Sequence, residues 1–323
     1  MKVRGTDTTK TKEASMRKKV SIIGSGDVGT NAALFIAEKK IADVQLVDIK
    51  DGVPQGKCLD LMEAAPIRGY NDYIMGGTDL SAIADSQVVV IAVGKVRTPW
   101  MERADVLSDN AAIVSTLIEP IIRYASNAVI VVVTEPVDAM TYLVQKKTGF
   151  SPRRVLGMAG LLDSERLRYF IADRLGVSIL DTTGMVIGGH HKFMIPVPQY
   201  CRVAGIPITE LLDDGQIERL TNRVRNANEE ILTLLKTSSS CLAAAAAVAE
   251  QAEIILRDER RIISAPVVLD GEYGLKDVCL GVPVVMGENG VERVIELKLK
   301  QEQREALEAF SDRVKDSQRA LAG

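Results

Sequence analysis

Hydrophobic and polar positions alternate in a regular way from Arg17 onward. Four apolar runs are nearly continuous and rich in β-branched residues, as in strands that are buried on both faces. These runs are 19–24, 43–49, 88–94 and 128–136. Between them, apolar residues recur at helical spacing over 31–40, 111–125 and 136–147. Because strands and helices alternate, the pattern predicts an α/β fold with a parallel, doubly wound sheet.

The pattern changes after about Leu161, where long helical stretches and short strands replace the alternation. We predict a helix after Leu161, a hairpin over 177–199, a long helical stretch over 214–258 and a closing helix over 302–321. Between the last two, "PVVLDGEYG" and "VPVVMGENGVERVIEL" are strand-like and carry Gly and Asn at hairpin-type turns. The second part of the chain is therefore predicted to be an α+β domain.

Composition narrows the class of protein. The chain has 323 residues, is 46% hydrophobic and 26% charged, and can bury a sizeable core. Its 40 basic and 43 acidic residues are well mixed and give a net charge of −3, so we expect no nucleic-acid partner and no membrane partner. No apolar run approaches the roughly 18 residues that span a bilayer. Small molecules or protein subunits are the expected partners.

The four cysteines lie far apart and form no C-x-x-C pair, so they indicate neither a disulfide framework nor a zinc site. They are Cys58, Cys201, Cys241 and Cys279. This usage favours a reducing cytoplasm. We expect no metal centre.

A glycine-rich turn, "GSGDVG", joins the first predicted strand to the first predicted helix. With the spacing G-x-G-x-x-G, Gly24 permits a tight turn, Gly26 lets the backbone approach a pyrophosphate, and Gly29 lets the helix meet the sheet. The helix N-terminus attracts phosphate. We therefore predict dinucleotide binding, the alternative being a purely structural turn. The predicted contacts are Gly24, Ser25, Gly26, Asp27, Val28 and Gly29.

Asp48, at the end of the second predicted strand, bears on which dinucleotide binds. A carboxylate there would accept hydrogen bonds from ribose hydroxyls and repel a 2′-phosphate, which predicts NAD rather than NADP. The simpler alternative is a solvated carboxylate. We accordingly divide the chain into a Rossmann domain at 17–160 and an α+β substrate domain at 161–323. Residues 1–16 are polar and aperiodic, and we predict a disordered extension there.

Both histidines of the chain, His190 and His191, stand side by side after "GMVIGG". Imidazole is the side chain whose ordinary pKa suits proton exchange near neutrality, and a dehydrogenase needs such a group. A strand that runs into glycines presents the next side chain at an opening. We select His190 as the candidate proton acceptor and interpret His191 as an ordinary surface or core histidine.

These segments together resemble the lactate/malate dehydrogenase family, most closely its bacterial malate dehydrogenases of the lactate-dehydrogenase-like type. The similarity runs in order from Lys18 to the C-terminal helix. The segments that carry it are "GSGDVG", "LVDI", "GKCLDLMEAAP", "VRTPWMER", "LSDNAAIV", "VTEPVDAMTY", "GMAGLLDSERLRYFIA", "GGHH" and "GEYGLKDVCLGVPVVMGENGVERVIEL".

The resemblance implies a catalytic group in the second domain. His190 matches the histidine that takes the hydroxyl proton of the substrate as hydride leaves for the nicotinamide. Asp163 matches the carboxylate that orients this imidazole. Arg166, three residues further along the same helix, matches the guanidinium that binds the substrate carboxylate in a bidentate way. An exposed ion pair is the simpler interpretation of Asp163 and Arg166.

The resemblance also implies a mobile loop in "GKVRTPWMERADVL". Arg103 matches the arginine that polarises the reacting carbonyl, and closure of such a loop would exclude water. Arg97 matches the arginine that binds the distal carboxylate of a dicarboxylate substrate. Asn110 and Val133 match cofactor contacts, although an exposed helical asparagine is the simpler interpretation of Asn110.

Four departures from the family pattern fall at the expected active site. The asparagine of the family motif T-N-P-V-D is Glu135 in this chain, and a carboxylate there would repel a dianionic substrate and raise the pKa of His190. The motif G-G-H-G-D is "GGHHK", so that Lys192 replaces an acid. Trp100 stands where most members have Gly, and "TSSS" at 237–240 replaces Thr-Gly-Ser-Ala. Glu135 is therefore a doubtful substrate contact.

Three functions remain open. The first is an NAD-dependent malate dehydrogenase acting on malate and oxaloacetate in the tricarboxylic acid cycle. The second is a dehydrogenase for another 2-hydroxy acid, and the third is an NAD-binding relative whose catalysis Glu135 impairs. The resemblance and the Ala-rich segment 243–249 imply a homo-oligomer, either a tetramer or a dimer.

Overall fold

The computed structural model of the protein describes residues 17–95, 103–236 and 240–322, without the side chains of residues 103–105 and 322. The extension predicted at 1–16 lies outside these residues, as do Arg97, Trp100 and most of the segment 237–240. Of Arg103, the backbone alone is described.

A six-stranded parallel sheet organises the N-terminal part of the chain. Its strands are β1 (Lys19–Ile23), β2 (Asp43–Val47), β3 (Ile74–Gly77), β4 (Val88–Ile91), β5 (Val129–Val132) and β6 (Val155–Gly157). Their spatial order is β3-β2-β1-β4-β5-β6, in which the chain winds outward in both directions from β1. This order is that of a Rossmann fold, so the predicted doubly wound sheet is confirmed.

Helices cover both faces of this sheet. They are α1 (Asp27–Glu38), α2 (Val53–Arg68), α3 (Arg103–Ser115), α4 (Ile118–Tyr124) and α5 (Val137–Thr148). Val88 and Val90 of β4 belong to one buried cluster, whereas Val89 and Ile91 belong to the other. Because successive residues of a strand point to opposite faces, the nearly continuous apolar runs are those of strands buried on both sides.

The helix predicted over 111–125 is two helices. α3 begins at Arg103 and ends at Ser115, and α4 begins at Ile118. Pro120 lies in the first turn of α4, where its missing N–H has no intrahelical partner to lose. The apolar spacing runs through the break because both helices pack on the same face of the sheet, with Val114 and Ile121 in one buried cluster.

The C-terminal part is a domain of helices and antiparallel strands, as predicted. Its helices are α6 (Gly160–Leu175), α7 (Ile208–Leu211), α8 (Asp214–Leu235), α9 (Leu242–Arg257) and α10 (Gln301–Ala322). Its strands are β7 (Thr182–Thr183), β8 (Val186–Gly188), β9 (Met194–Pro196), β10 (Arg202–Val203), β11 (Ile206–Pro207), β12 (Arg261–Asp270), β13 (Lys276–Gly287) and β14 (Gly290–Val294).

The larger antiparallel sheet has the order β12-β13-β8-β9, with β14 paired to β13, and β11-β10-β7 form a second sheet. β8 and β9 pair within the segment 177–199, so the hairpin predicted there is confirmed. The long helical stretch predicted over 214–258 is two helices, because α8 ends at Leu235 and α9 begins at Leu242. α9 buries Ala249 and Ala252 in the same cluster as Ala32 and Ala33 of α1, so the two parts share a core.

The closing helix is confirmed as α10 and packs on α5 and β13. Its Phe310 stacks on Phe193 with ring centroids 5.2 Å apart. A Cβ on Gly189 would lie 2.2 Å from the Phe310 ring, so the chain can pass α10 at this point because residue 189 has no side chain. None of the described helices is both long and apolar enough to cross a membrane.

Candidate active site

The turn after β1 has the shape that the glycine spacing predicts. Gly24 has φ +114°, and a Cβ there would lie 2.3 Å from the carbonyl oxygen of Ala92. A Cβ on Gly29 would lie 2.0 Å from the carbonyl oxygen of Gly24, so the helix can approach the turn this closely because Gly29 lacks one. Around Gly26, at the N-cap of α1, no heavy atom lies within 4 Å of a Cβ position. This open space at a helix N-terminus suits a phosphate.

Asp48 follows β2 and is tied to the same turn. Its Oδ2 accepts hydrogen bonds from the backbone N–H and the hydroxyl of Ser25 at 2.7 and 2.8 Å, and Oδ1 accepts one from the N–H of Lys50. Burial raises the pKa of Asp48, but these hydrogen bonds outweigh it and lower the pKa below the ordinary value. An ionised carboxylate has about four acceptor positions, so Asp48 retains capacity for ribose hydroxyls.

Asn110, on α3, connects the segments that follow β4 and β5. Its Oδ1 accepts a hydrogen bond from Lys95 N at 2.7 Å, and its Nδ2 donates to the carbonyl oxygens of Lys95 and Glu135. The side chain is buried, not exposed. Val133, directly after β5, is half-buried. The cofactor contacts of these two residues stay predictions.

The structure brings His190 and Asp163 together. His190 follows β8 and Gly189, and its Nδ1 lies 2.7 Å from Oδ2 of Asp163 in the first turn of α6. Both side chains are buried, at 9% and 1% exposure. Burial by itself would lower the pKa of His190, but the charge and hydrogen bond of Asp163, together with Glu135, raise it to about 9. The imidazole is therefore oriented by a carboxylate and protonated at neutral pH.

Arg166 lies one turn further along α6, with Nη1 3.6 Å from Oδ1 of Asp163. The pair is not an exposed one, because the Arg166 side chain is 10% exposed. Its Nε is buried and has no hydrogen-bond acceptor among the described residues. Burial lowers the pKa of Arg166, and the Asp163 charge opposes that effect. A buried guanidinium with an unsatisfied donor is suited to bind an incoming carboxylate.

Glu135 reaches this group from the end of β5, as the resemblance implies. Its Oε1 lies 3.6 Å from Nε2 of His190 and 3.4 Å from Nε2 of His191. Burial raises the pKa of Glu135, but its contact with His191 and the charges of both imidazoles lower it to about 2. Glu135 is therefore ionised at neutral pH, and its charge adds to that of Asp163 in raising the pKa of His190.

His191 has a larger place in the site than we predicted. Its ring lies against that of His190, with centroids 3.9 Å apart and the planes tilted by 40°. Its backbone has φ 58°, in the left-handed region. By contrast, Lys192 is 69% exposed and lies 3.9 Å from Glu229, on the outside of the protein. Lys192 therefore does not neutralise Glu135.

Asp138, in the first turn of α5, is a buried group that the sequence analysis did not select. The backbone N–H of His190 donates to its carboxylate. Burial and the nearby Glu135 raise the pKa of Asp138 to about 7. The signal was present in "TEPVDAMTY", where an acid follows a strand end at the expected site.

Comparison with known proteins agrees with this geometry. Residues 18–157 match the model of the lactate/malate dehydrogenase NAD binding domain, and residues 161–321 match that of the lactate/malate dehydrogenase alpha/beta C-terminal domain. The chain belongs to the lactate/malate dehydrogenase family. As a member of this family it is an NAD-dependent oxidoreductase, so the predicted enzyme class and cofactor are confirmed.

Individual relatives cover nearly the whole chain. Malate dehydrogenase of Bacillus cereus is 44% identical over 307 residues, which are 94% of this chain and 98% of the relative. The structure of malate dehydrogenase from Cryptosporidium parvum has a TM-score of 0.92 at 35% identity, covering 95% of this chain and 99% of that one. Lactate dehydrogenase from Cryptosporidium parvum, complexed with lactic acid and NAD, has a TM-score of 0.90 at 34% identity, covering 95% and 98%.

Proposed function

We propose that the protein is an NAD-dependent malate dehydrogenase that interconverts malate and oxaloacetate, a reaction of the tricarboxylic acid cycle. The observation that carries the proposal is the buried group in which Asp163 orients His190 at 2.7 Å beside a guanidinium with a free buried donor. Relatives that are malate dehydrogenases support the choice of substrate.

Each residue of the group has a separate task in this reaction. Arg166 binds the carboxylate next to the reacting carbon, and Arg97, from the resemblance, binds the distal carboxylate. NAD, held at Gly26 and Asp48, would supply the hydride acceptor for the substrate carbon that carries the hydroxyl. Nε2 of His190 takes the hydroxyl proton during oxidation and returns it to the carbonyl oxygen during reduction. Asp163 stabilises the imidazolium that forms, and Arg103 polarises the carbonyl.

The described residues fit the cofactor at its other end. The open N-terminus of α1 at Gly26 suits the pyrophosphate, and Asp48 has acceptor capacity for the ribose. We propose that Ser25, Asp27, Val28, Asn110 and Val133 line the same site.

The test is oxidation of NADH by the purified protein with oxaloacetate, pyruvate and a panel of other 2-oxo acids. We expect kcat/KM to be highest for oxaloacetate. Faster turnover of a 2-oxo acid that carries an amide or a cation would assign another substrate, and no turnover of any would leave a non-catalytic relative. The variant His190→Gln is the control and should abolish turnover while NADH binding persists.

We also propose the domain division at 160/161 and a homo-oligomer, either a tetramer or a dimer. An open groove of about 620 Å³ runs between α6, α8 and α9. Large apolar side chains on it include Tyr169, 48% exposed, and Leu234, 75% exposed, and Ala243 and Ala246 of α9 line it. Helix-to-helix packing of a second subunit would cover these side chains. Light scattering should give a multiple of 35.0 kDa, and a monomer at micromolar concentration would contradict the proposal.

A cytoplasmic location is the last part of the proposal. All four cysteines are free thiols, and three of them are buried. Such cysteine usage is typical of proteins in a reducing compartment. Fractionation of cells of the source organism, followed with an antibody to the protein, tests the location.

A further inference from the structure

Two departures from the family pattern meet at the catalytic histidine. Glu135 stands where the family has Asn and His191 stands where it has Gly, and both side chains contact His190. Across the described ranges, this trio is the one group of three or more His, Cys, Asp or Glu side chains that can each place one ligand atom within 4.8 Å of the others.

The distances from Glu135 to the two imidazoles suit coordination of a metal ion. Zn–N distances of about 2.0–2.1 Å and Zn–O distances of about 2.0–2.2 Å, at tetrahedral angles, place neighbouring ligand atoms about 3.3–3.5 Å apart. Oε1 of Glu135 lies 3.4 Å from Nε2 of His191 and 3.6 Å from Nε2 of His190.

The ring of His190 is already oriented as a ligand. Its Nδ1 is occupied by Asp163, which leaves Nε2 directed toward Glu135 and the cleft. A carboxylate behind a histidine is the usual support for a metal-binding imidazole, because it fixes the tautomer and increases the basicity of the other nitrogen. Asp163 has the position of such a supporting carboxylate.

The cleft leaves room for an ion and for a further ligand. The side chain of Glu135 is 45% exposed and that of His191 is 35% exposed, so the point between them is reachable from solvent. Three protein ligands with one open position form the arrangement of catalytic rather than structural zinc sites.

The backbone at His191 is a second, independent observation. Its φ of 58° lies in the left-handed region, which is unfavourable for a residue with a Cβ and is readily adopted by glycine. Glycine, the residue of the family pattern, would avoid this cost. A strained residue that places an imidazole beside two other ligands indicates a function for that imidazole.

We propose that Glu135, His190 and His191 form a binding site for a divalent transition-metal ion of the zinc type. Two imidazoles and one carboxylate favour Zn²⁺, Co²⁺ or Ni²⁺ over Mg²⁺ and Ca²⁺, which prefer oxygen ligands. A bound ion displaces the proton from Nε2 of His190 and occupies the lone pair that must take the substrate proton, so metal binding and dehydrogenase turnover exclude each other. This consequence rests on the proposed function, whereas metal binding does not.

The experiment is a titration of the chelator-treated full chain with Co²⁺, followed by its visible absorption, in the absence of substrate and cofactor. We expect the intense bands of four- or five-coordinate Co²⁺ to saturate at one ion per chain. Zn²⁺ should bleach them and excess Mg²⁺ should not. Weak octahedral bands alone, or no saturation, would overturn the proposal.

Variants locate the ion. His191→Gly and Glu135→Asn restore the family residues, and each should weaken Co²⁺ binding by more than the roughly 10- to 100-fold that loss of a supporting carboxylate costs. The control is Cys241→Ser, which removes the one cysteine that is not buried and should leave Co²⁺ affinity unchanged. Circular dichroism and NADH binding check that each variant is folded. Unchanged binding in both folded variants, or loss of the bands in Cys241→Ser, would overturn the proposal.

Zn²⁺ should also inhibit oxaloacetate reduction in the wild-type chain, and much less in His191→Gly. Full turnover by protein whose Co²⁺ bands are saturated would place the ion away from His190 and refute the site. A chain that turns over no 2-oxo acid but gives the Co²⁺ bands would refute the proposed function and leave the metal site standing.

Discussion

Replacement of Glu135 by asparagine tests the electrostatics of the site most directly. The substitution removes a carboxylate whose Oε1 lies 3.6 Å from Nε2 of His190 and restores an amide that can donate to substrate. At that distance, the attraction between two unit charges is about 1 kcal/mol in water and about 5 kcal/mol at an effective dielectric constant of 20.

Solvent screening determines where the attraction between Glu135 and His190 falls between about 1 and about 5 kcal/mol. Glu135 is 45% exposed, so we expect a contribution of roughly 1.4–2.8 kcal/mol, which corresponds to about 1–2 pKa units. The pKa of His190 should therefore fall from about 9 toward about 7 to 8 in Glu135→Asn. Because repulsion of a dianionic substrate also disappears, oxaloacetate turnover should rise at least about tenfold, or about 1.4 kcal/mol in the barrier.

Two assays follow these changes, both in buffer that contains a chelator. The chain has two histidines, so a proton NMR titration of the imidazole signals reports each pKa, and the variant His191→Gly assigns them. Steady-state kinetics with oxaloacetate give the change in kcat/KM. An unchanged pKa of His190 would refute the electrostatic reasoning. Unchanged or abolished turnover would show that Glu135 is a working part of the site, and malate would cease to be the best substrate assignment.

Three further predictions concern pH, cofactor and substrate. The pKa of His190 is raised to about 9. Malate oxidation needs the neutral imidazole and should therefore accelerate as the pH rises to about 9, whereas oxaloacetate reduction needs the protonated imidazole and should decline above that pH. Initial rates of both reactions across this pH range check the two trends. NADH should bind far more tightly than NADPH because Asp48 is ionised, and calorimetry that finds equal affinities would contradict this role. Arg97→Gln should lower the rate of oxaloacetate reduction by about 2 to 3 orders of magnitude, because a charge-assisted pair of roughly 3–4 kcal/mol is lost. The rate of pyruvate reduction should fall less. Equal losses for both substrates would contradict the assignment of Arg97 to the distal carboxylate.

The sequence predicted the sheet better than the lengths of its strands. The β-branched runs identify β1, β2, β4 and β5, but the runs at 88–94 and 128–136 extend beyond Ile91 and Val132. The residues of these runs that follow Ile91 and Val132 are not paired in the sheet and instead form the loops that carry the site. In these loops, apolar residues do not indicate strand pairing. β3 escaped prediction because its sequence, IMGG, contains two glycines and no alternation.

α2 escaped prediction for a different reason. Its apolar residues do not lie on one face, since Cys58 is buried while Leu59 and Ile67 are exposed. No helical apolar stripe is therefore visible along the sequence. The sequence between α8 and α9, KTSSSC, contains neither Gly nor Pro and therefore gave too little signal to divide the helical stretch predicted over 214–258.

Within the site, the resemblance supplied residue identities and the fold supplied distances. His190 and Asp163 are separated by 27 positions in the chain and meet because β8 and α6 pack together. His191 was undervalued because its left-handed backbone, which turns the ring onto His190, leaves no mark in a single sequence. Asp138 was overlooked because burial, not residue type, raises its pKa.

The contact between Phe310 and Gly189 has a consequence for synthesis of the protein. Gly189 precedes the catalytic imidazole and packs against the ring of Phe310, which belongs to the last described helix, α10. On the ribosome, the cofactor-binding sheet, Asp163 and His190 are synthesised long before Phe310. The nascent chain is therefore expected to acquire its cofactor site early and its catalytic competence late. An unfinished chain would hold the dinucleotide without being able to use it.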